Sequence, residues 1–213
     1  MNPKQVNVYA ACDKAIKAMD RLNVELFGQL RMAKWDELNV IKTVRNVYNK
    51  SYAQARKRYY EVAFEAYLIY LAMCRIEAKK AHQMAEKAIT EKWVDKVLSE
   101  TDLVTLYRFD SEMERKIYRL AEALEAAQDR EAEIKKALRY WSQQVGQYFI
   151  NVTDYAGVQA FEDAGIEKVM WVTEKDDRVC TECRPRDGRI YALDEVPVKP
   201  HWGCRCRLIP VIE

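Results

Sequence analysis

The sequence predicts a mainly α protein: a long-helix body followed by a small C-terminal β-rich subdomain, α+β overall. Three observations predict it. No proline occurs between Pro3 and Pro185, and Gly28 is the only glycine before Gly146. A stretch free of the two helix-breaking residues favours helix. Beyond Lys168 the character changes, with four of the five prolines and short runs rich in Val and Trp that alternate as strands do. The same C-terminal stretch holds four of the six cysteines and one of the two histidines. We therefore expect residues 1–150 to form the helical body. Residues 151–213 should form a helix plus a small Cys/His unit.

Asn2-Pro3 reads as a cap and first turn. Val6, Tyr9, Ile16, Met19, Val24, Phe27 and Leu30 then recur at helical spacing. Trp35-Asp36-Glu37 begins a second helix, with acids in its first turn, running with breaks to about Leu98. Val40, Val44 and Val47 stripe one side of it. Val62 to Ile76 is apolar nearly all round, as in a helix buried on most sides or docked on a partner. Ser99 to Asp102 is a turn candidate, and Leu103 to Phe109 a short element of undecided type.

Ser111 and Glu114 form a capping box. The helix it opens shows Ile117, Leu120 and Leu124, then Ile134, Leu138, Trp141 and Val145, on one face. The charged stretch Asp129 to Glu133 interrupts that face, which implies a bend or a change of packing partner. Thr153-Asp154 is expected to start a shorter helix through Val158, Phe161 and Ala164, closed by Gly165. Strands are expected at Lys168 to Thr173, Arg189 to Leu193 and Arg207 to Ile212, with Asp187-Gly188 as a tight turn.

The chain has 213 residues, 49% hydrophobic and 32% charged, with a net charge of +2. That length suits one large domain or a helical domain with a small appendage. The small net charge argues neither for nor against a nucleic-acid partner. The N-terminus shows no signal-peptide pattern. The longest strongly apolar run, Ala66 to Cys74, is nine residues, about half of what spans a bilayer. No membrane partner and a cytosolic site of synthesis are expected. In a reducing compartment, clustered cysteines point to metal more than to disulfides.

The cysteines and histidine fall into two clusters, Cys180-Thr-Glu-Cys183 and His201-Trp-Gly-Cys204-Arg-Cys206, with 17 residues between Cys183 and His201. Zinc takes four tetrahedral thiolate or imidazole ligands, and two short clusters joined by a hairpin supply them. Cys180, Cys183, His201 and Cys204 are the preferred set, with Cys206 as the rival fourth ligand. A closed site of this kind, holding one Zn2+, is structural rather than catalytic. It would take the place of a larger core in so small a unit. Ordinary thiols or two disulfides are the alternatives. Cys12 and Cys74 read as packing residues, and His82 as a solvated one.

The order of these residues resembles the phage head morphogenesis (Mu F-like) minor head protein family. The resemblance rests on Ala164-Gly165, Trp171-Val-Thr173, Asp177-Arg178-Val-Cys180, Cys183, Asp187-Gly188, Tyr191 and His201-x-x-Cys204-Arg-Cys206. It covers about the last sixty residues well, and extends more loosely through Tyr107 to Asp110 and Trp141 to Tyr148. Many members carry His-Pro-Asn-Cys where this chain has His201-Trp202-Gly203-Cys204. The Arg-Thr-Glu common at the preceding helix start is replaced by Val152-Thr153-Asp154. The resemblance implies a non-catalytic virion component, made in the host cytoplasm and acting in procapsid assembly or DNA delivery. Its implied partners are portal protein and the major capsid or scaffold protein, with DNA a further candidate.

Two alternatives stand beside it. A zinc-containing nucleic-acid-binding protein would use Lys42, Arg45, Arg56, Lys57 and Arg58. Residues Ile41 to Tyr60 carry six cations and no acid, with Tyr48, Tyr52, Tyr59 and Tyr60 interleaved. The competing reading of that helix is a solvated face whose charges pair with acids elsewhere. A metal-dependent hydrolase or nuclease would need a hard cation near Glu174, Asp176, Asp177 and Glu182. The chain carries no H-E-x-x-H, P-loop or G-x-S-x-G signature. No enzyme activity and no small-molecule substrate are therefore expected.

Overall fold

The computed structural model describes residues 3–33, 39–99, 109–174 and 179–212. Six helices are described: α1 (Ala10–Gly28), α2 (Val40–Met73), α3 (Ala78–Ala88), α4 (Glu91–Ser99), α5 (Phe109–Ala126) and α6 (Arg130–Asp163). A three-stranded sheet follows, formed by β1 (Lys168–Val172), β2 (Ile190–Ala192) and β3 (Arg207–Pro210). Its order is β2-β1-β3, with both pairings antiparallel. The mainly α fold with its small C-terminal sheet is the one expected.

α2 and α6 are each 34 residues, so each extends about 50 Å. They pack along one another and form the spine on which α1 and α5 lie. Their contact is aromatic, with edge-on ring pairs Tyr48–Trp141 at 4.8 Å and Tyr70–Phe161 at 5.2 Å. Phe27 of α1 joins the first pair at 5.2 Å from Tyr48. Such pairs add to the burial of large rings. A polar thread crosses this core: Trp141 Nε1 donates to Ser51 Oγ (2.7 Å), and Ser51 donates to Asn23 Oδ1 (2.5 Å). All three residues are buried, and each polar group finds its partner there.

The apolar segment from Val62 is mostly interior: Val62, Ala63, Ala66, Tyr67, Tyr70, Leu71 and Met73 are buried. Its surface is used by the chain's own core rather than reserved for a partner. The interruption at Asp129 to Glu133 is a helix break, because α5 ends at Ala126 and Asp129 caps α6 by accepting from the Ala132 amide at 3.0 Å.

Some helix boundaries differ from expectation. Pro3–Gln5 is a separate 3-10 turn, and α1 starts only at Ala10. Ser99 is the last residue of α4. The rest of the expected turn, Glu100 to Asp102, lies outside the described residues, as do Trp35-Asp36-Glu37, Leu103 to Arg108 and the Ser111 side chain. No helix starts at Thr153. α6 passes straight through it, because Thr153 Oγ1 donates to the Phe149 carbonyl (2.8 Å) inside the helix instead of capping a new one. α6 is therefore continuous across position 150. It stops where expected, at Gly165 with φ +69°, where the Ile166 amide bonds the Phe161 carbonyl at 2.9 Å.

Candidate metal centre

The two cysteine clusters flank the sheet. Cys180 and Cys183 lie in the turn that leads into a 3-10 turn at Arg184–Arg186. His201, Cys204 and Cys206 lie in the segment that enters β3. β1 sits at the centre of the sheet, paired with the strands that each cluster adjoins, so its pairing brings the clusters together. The first turn is held by the Arg184 amide on the Cys180 carbonyl (3.0 Å) and the Arg186 amide on the Cys183 carbonyl (3.0 Å). The Cys183 amide donates to Cys180 Sγ at 3.2 Å, which favours thiolate at that sulfur. In the second segment Gly203 has φ +71°, a turn that a residue with a Cβ enters only with strain.

All five expected donors gather. Cys180, Cys183 and His201 form one group, and Cys183, Cys204 and Cys206 a second, with ligand atoms in each group within 4.8 Å of one another. Cys183 belongs to both. These Cys and His groups could hold a metal ion. The Sγ atoms of Cys183 and Cys204 are 3.6 Å apart, well beyond a disulfide bond of about 2.0 Å. The edge of a tetrahedron with Zn–S of about 2.3 Å is about 3.8 Å. The sulfurs are thus spaced for a shared ion.

His201 is oriented for the same purpose. Its Nδ1 lies 2.8 Å from the Trp202 carbonyl, and since a carbonyl only accepts, Nδ1 carries the proton. Hydrogen bonding to that carbonyl, against burial, raises the imidazole pKa, and Nε2 is buried without a hydrogen-bond partner. A metal would satisfy it, with the Trp202 carbonyl fixing the tautomer.

Negative charge in the cluster is favoured most at Cys204. Hydrogen bonding from Cys206, helped by Lys199 against the effect of burial, lowers its thiol to about 5. Burial, with hydrogen bonding to Cys180, pushes Cys183 up to about 12. Cys206 is raised by donating to Cys204 and by burial. Cys180, against the effect of burial, is lowered by the hydrogen bond from the Cys183 amide and by His201.

The unit is fastened to the helices by residues that the sequence reading missed. The Tyr9 hydroxyl, at the entry to α1, lies 2.7 Å from Asp154 Oδ1 and 2.9 Å from the Cys206 carbonyl. Lys199 Nζ donates to that hydroxyl (2.6 Å) and to the Cys204 carbonyl (3.1 Å), and lies 2.7 Å from Asp154 Oδ2. The Gly203 amide donates to Gln147 Oε1 at 2.6 Å. Arg207 joins Glu174 at 2.5 Å and the Lys4 carbonyl at 2.7 Å. One signal for this was available: Asp154 is the only charged residue between Arg139 and Glu162. A lone carboxylate in an apolar helix needs a buried partner.

The basic stripe is not one open face. Arg45 pairs with Glu114 (2.6 Å), and Arg56 is held by both oxygens of Asp95 (2.8 Å each). Tyr48 and Tyr59 are buried. Arg58 is half-buried, and Lys42 and Lys57 are exposed. Of the acids considered for a hard cation, Glu174 is engaged with Arg207, Glu182 is exposed, and Asp176 and Asp177 lie outside the described residues.

A helical body carrying a small antiparallel sheet folded around five clustered Cys and His donors is an α+β protein with a candidate structural metal centre. Residues 84–209, more than half of the chain, match the family described as phage Mu protein F like protein. The chain belongs to that family. The matched span runs from α3 through all three strands and contains every candidate ligand. No curated protein and no solved structure matches the chain. Membership places it with the structural head proteins of phages that act in head morphogenesis. No helix among the described residues is long and apolar enough to cross a membrane.

Proposed function

We propose that the protein is a minor head protein. Its helical body contacts portal, major capsid or scaffold protein during procapsid assembly in the host cytoplasm. Its C-terminal unit is a structural element held by one Zn2+. Cys180, Cys183, His201 and Cys204 would hold the ion, with Cys206 the alternative fourth ligand. The ion would supply charge neutralisation and cross-links; the chain's residues supply position. The observation that carries this reading is the family match over a span that includes all five gathered donors.

A structural role for the centre is supported by its chemistry. A thiolate-rich set that fills four positions leaves none for substrate, so the proposed protein is not an enzyme. The division at about residue 150 is proposed in the same sense. The Cys/His side of the unit beyond it would depend on metal, whereas the core that the helices build also takes in Val169, Val172 and Ile209 of the sheet. The basic helix reading retains exposed Lys42 and Lys57, and no contact favours it over the ion pairs. The direct test is mass spectrometry of purified phage heads and procapsids. The chain should be present as a minor component, and its absence from both would overturn the proposal.

A further inference from the structure

A second constellation lies between α5 and α6, away from the Cys/His cluster. On α5, Lys116, Arg119 and Ala123 share a face at helical spacing; on α6, Glu133, Lys136, Ala137 and Tyr140 do the same. The two helices are joined by residues 127–129 alone and run antiparallel. Their faces meet over a hollow of about 270 Å3 that also reaches Tyr48 and Leu120.

Its charge is unusual for this molecule. Elsewhere on the body cations meet acids, as in Arg31–Glu131 (2.8 Å), Arg56–Asp95 (2.8 Å) and Lys135–Glu131 (3.2 Å). Among the described residues, no carboxylate lies within ion-pair distance of Lys116, Arg119 or Arg139. The single acid in the lining, Glu133, reaches Lys136 only at 3.5 Å. Lys116 is half-buried, and burial first, then Arg119 and Arg115, pull its ammonium below the usual lysine range. The lining therefore holds three cations against the one carboxylate of Glu133, which pairs with Lys136.

Aromatic rings are interleaved with these cations. Tyr140, 45% exposed, has the Arg139 guanidinium 5.0 Å from its centroid and the Lys116 ammonium 5.9 Å away. Tyr118, 51% exposed on the same helix as Lys116, lies 5.7 Å from the Arg45 guanidinium. Exposed rings set beside cations suit phosphate and base faces together. An acidic peptide would use the cations and leave the rings idle.

We propose that the hollow lined by Lys116, Arg119, Lys136 and Tyr140 binds the phosphodiester backbone of a nucleic acid. The site shares no residue with the metal centre and does not depend on it.

The test uses the full chain and a short labelled DNA duplex, with affinity measured by anisotropy over a salt series. Lys116→Gln with Arg119→Gln should weaken binding about tenfold and reduce the slope of log K against log salt by about 2. Lys42→Gln with Lys57→Gln, on α2, should change it little. Salt-insensitive or absent wild-type binding, or equal losses in the two double variants, overturns the proposal. So does displacement of the duplex by poly-glutamate as readily as by unlabelled duplex, which would assign the site to acidic protein segments. Should the Lys116 and Arg119 variant lose helicity, lysine acetylation of the wild-type chain decides. The duplex should protect Lys116 severalfold, and no protection overturns the site.

Discussion

Zinc affinity measured against pH reads the donor set directly. A thiol must lose its proton to ligate. Cys183 is pushed up to about 12 by burial, so in the apoprotein it is still a thiol throughout the neutral range. Each such thiol makes log K rise by about one per pH unit, or about 1.4 kcal/mol. Cys204, lowered to about 5, is already thiolate and adds nothing to the slope. The sign follows: a raised thiol pKa favours the protonated apo form, so zinc binds more tightly as pH rises and is lost as pH falls. With Cys180, Cys183, His201 and Cys204 as ligands, the slope near neutrality should not fall below about one. A set that includes Cys206, also raised, sets that floor at about two.

Competition with a chelator of known affinity at several pH values gives the slope. Calorimetry in buffers of different ionisation enthalpy counts the protons released. A slope well below one refutes the assignment of Cys183 as a ligand. Less than about half an equivalent of zinc in protein purified without chelator refutes the single closed site.

Cys183→Ala removes the donor shared by both groups. It should abolish stoichiometric metal while far-UV helicity stays nearly unchanged; coincident loss of metal and helix would show that the body has no independent core. Tyr9→Phe removes the hydroxyl that bridges Asp154, Lys199 and the Cys206 carbonyl. It should cost about 1–3 kcal/mol, read as a fall in Tm with faster zinc loss to chelator, and an unchanged Tm would contradict the bridge. Two glycines of α6 should respond oppositely to alanine. At Gly146 the new Cβ meets only Ile16 at 3.9 Å, and at Gly157 it would lie 2.6 Å from the buried Tyr70 ring. Gly146→Ala should stabilise by up to about 1 kcal/mol, whereas Gly157→Ala should come out about 2–3 kcal/mol worse than Gly146→Ala because of overpacking. Equal Tm shifts would show that the two helices do not approach as described. Arg56→Ala should change stability by less than about 1 kcal/mol, since its partner Asp95 is exposed; a larger thermal shift would show that pair to be structural.

The helical body was legible because its signals are local. Missing Pro and Gly, and apolar residues at helical spacing, act over a few turns and need no knowledge of the partner. The Cys/His grouping was legible for a similar reason, since its two clusters are short and chemically distinctive. Thr153 was misread because its hydroxyl has two local options, capping a new helix or bonding the Phe149 carbonyl one turn back. The packing around it, with Val152 and Ala156 buried in the common core, selects the second. Tyr9 and Lys199 were invisible because their contact joins residues 190 positions apart, and nothing in either segment specifies the other. The ion pairs that divide the basic stripe are likewise products of the α2–α4 and α2–α5 packing.

These long-range contacts change what the C-terminal unit is. Its sheet is too small to bury much of its own, and its inner residues Val169, Val172 and Ile209 belong to the same apolar cluster as α1, α2 and α6. Trp171, Cys183, Cys204 and Cys206 form a separate cluster around the donors. The sheet is therefore packed against the helical core through some of its side chains and against the donor cluster through others. Beside these clusters the carbonyls of Cys204 and Cys206 accept from Lys199 and Tyr9 respectively, which are anchored to Asp154 of α6. Backbone that bears two candidate ligands is thus positioned by the helical body before any metal arrives. Preorganisation of this kind reduces the ordering that metal binding must itself drive. A metal-free chain should accordingly keep its third strand docked through Lys199 and Asp154 while the Cys180–Cys183 turn, which has no such anchor to α6 among the described contacts, loosens first. Hydrogen exchange of the zinc-free chain reads this directly, and equal protection of the two segments would refute it.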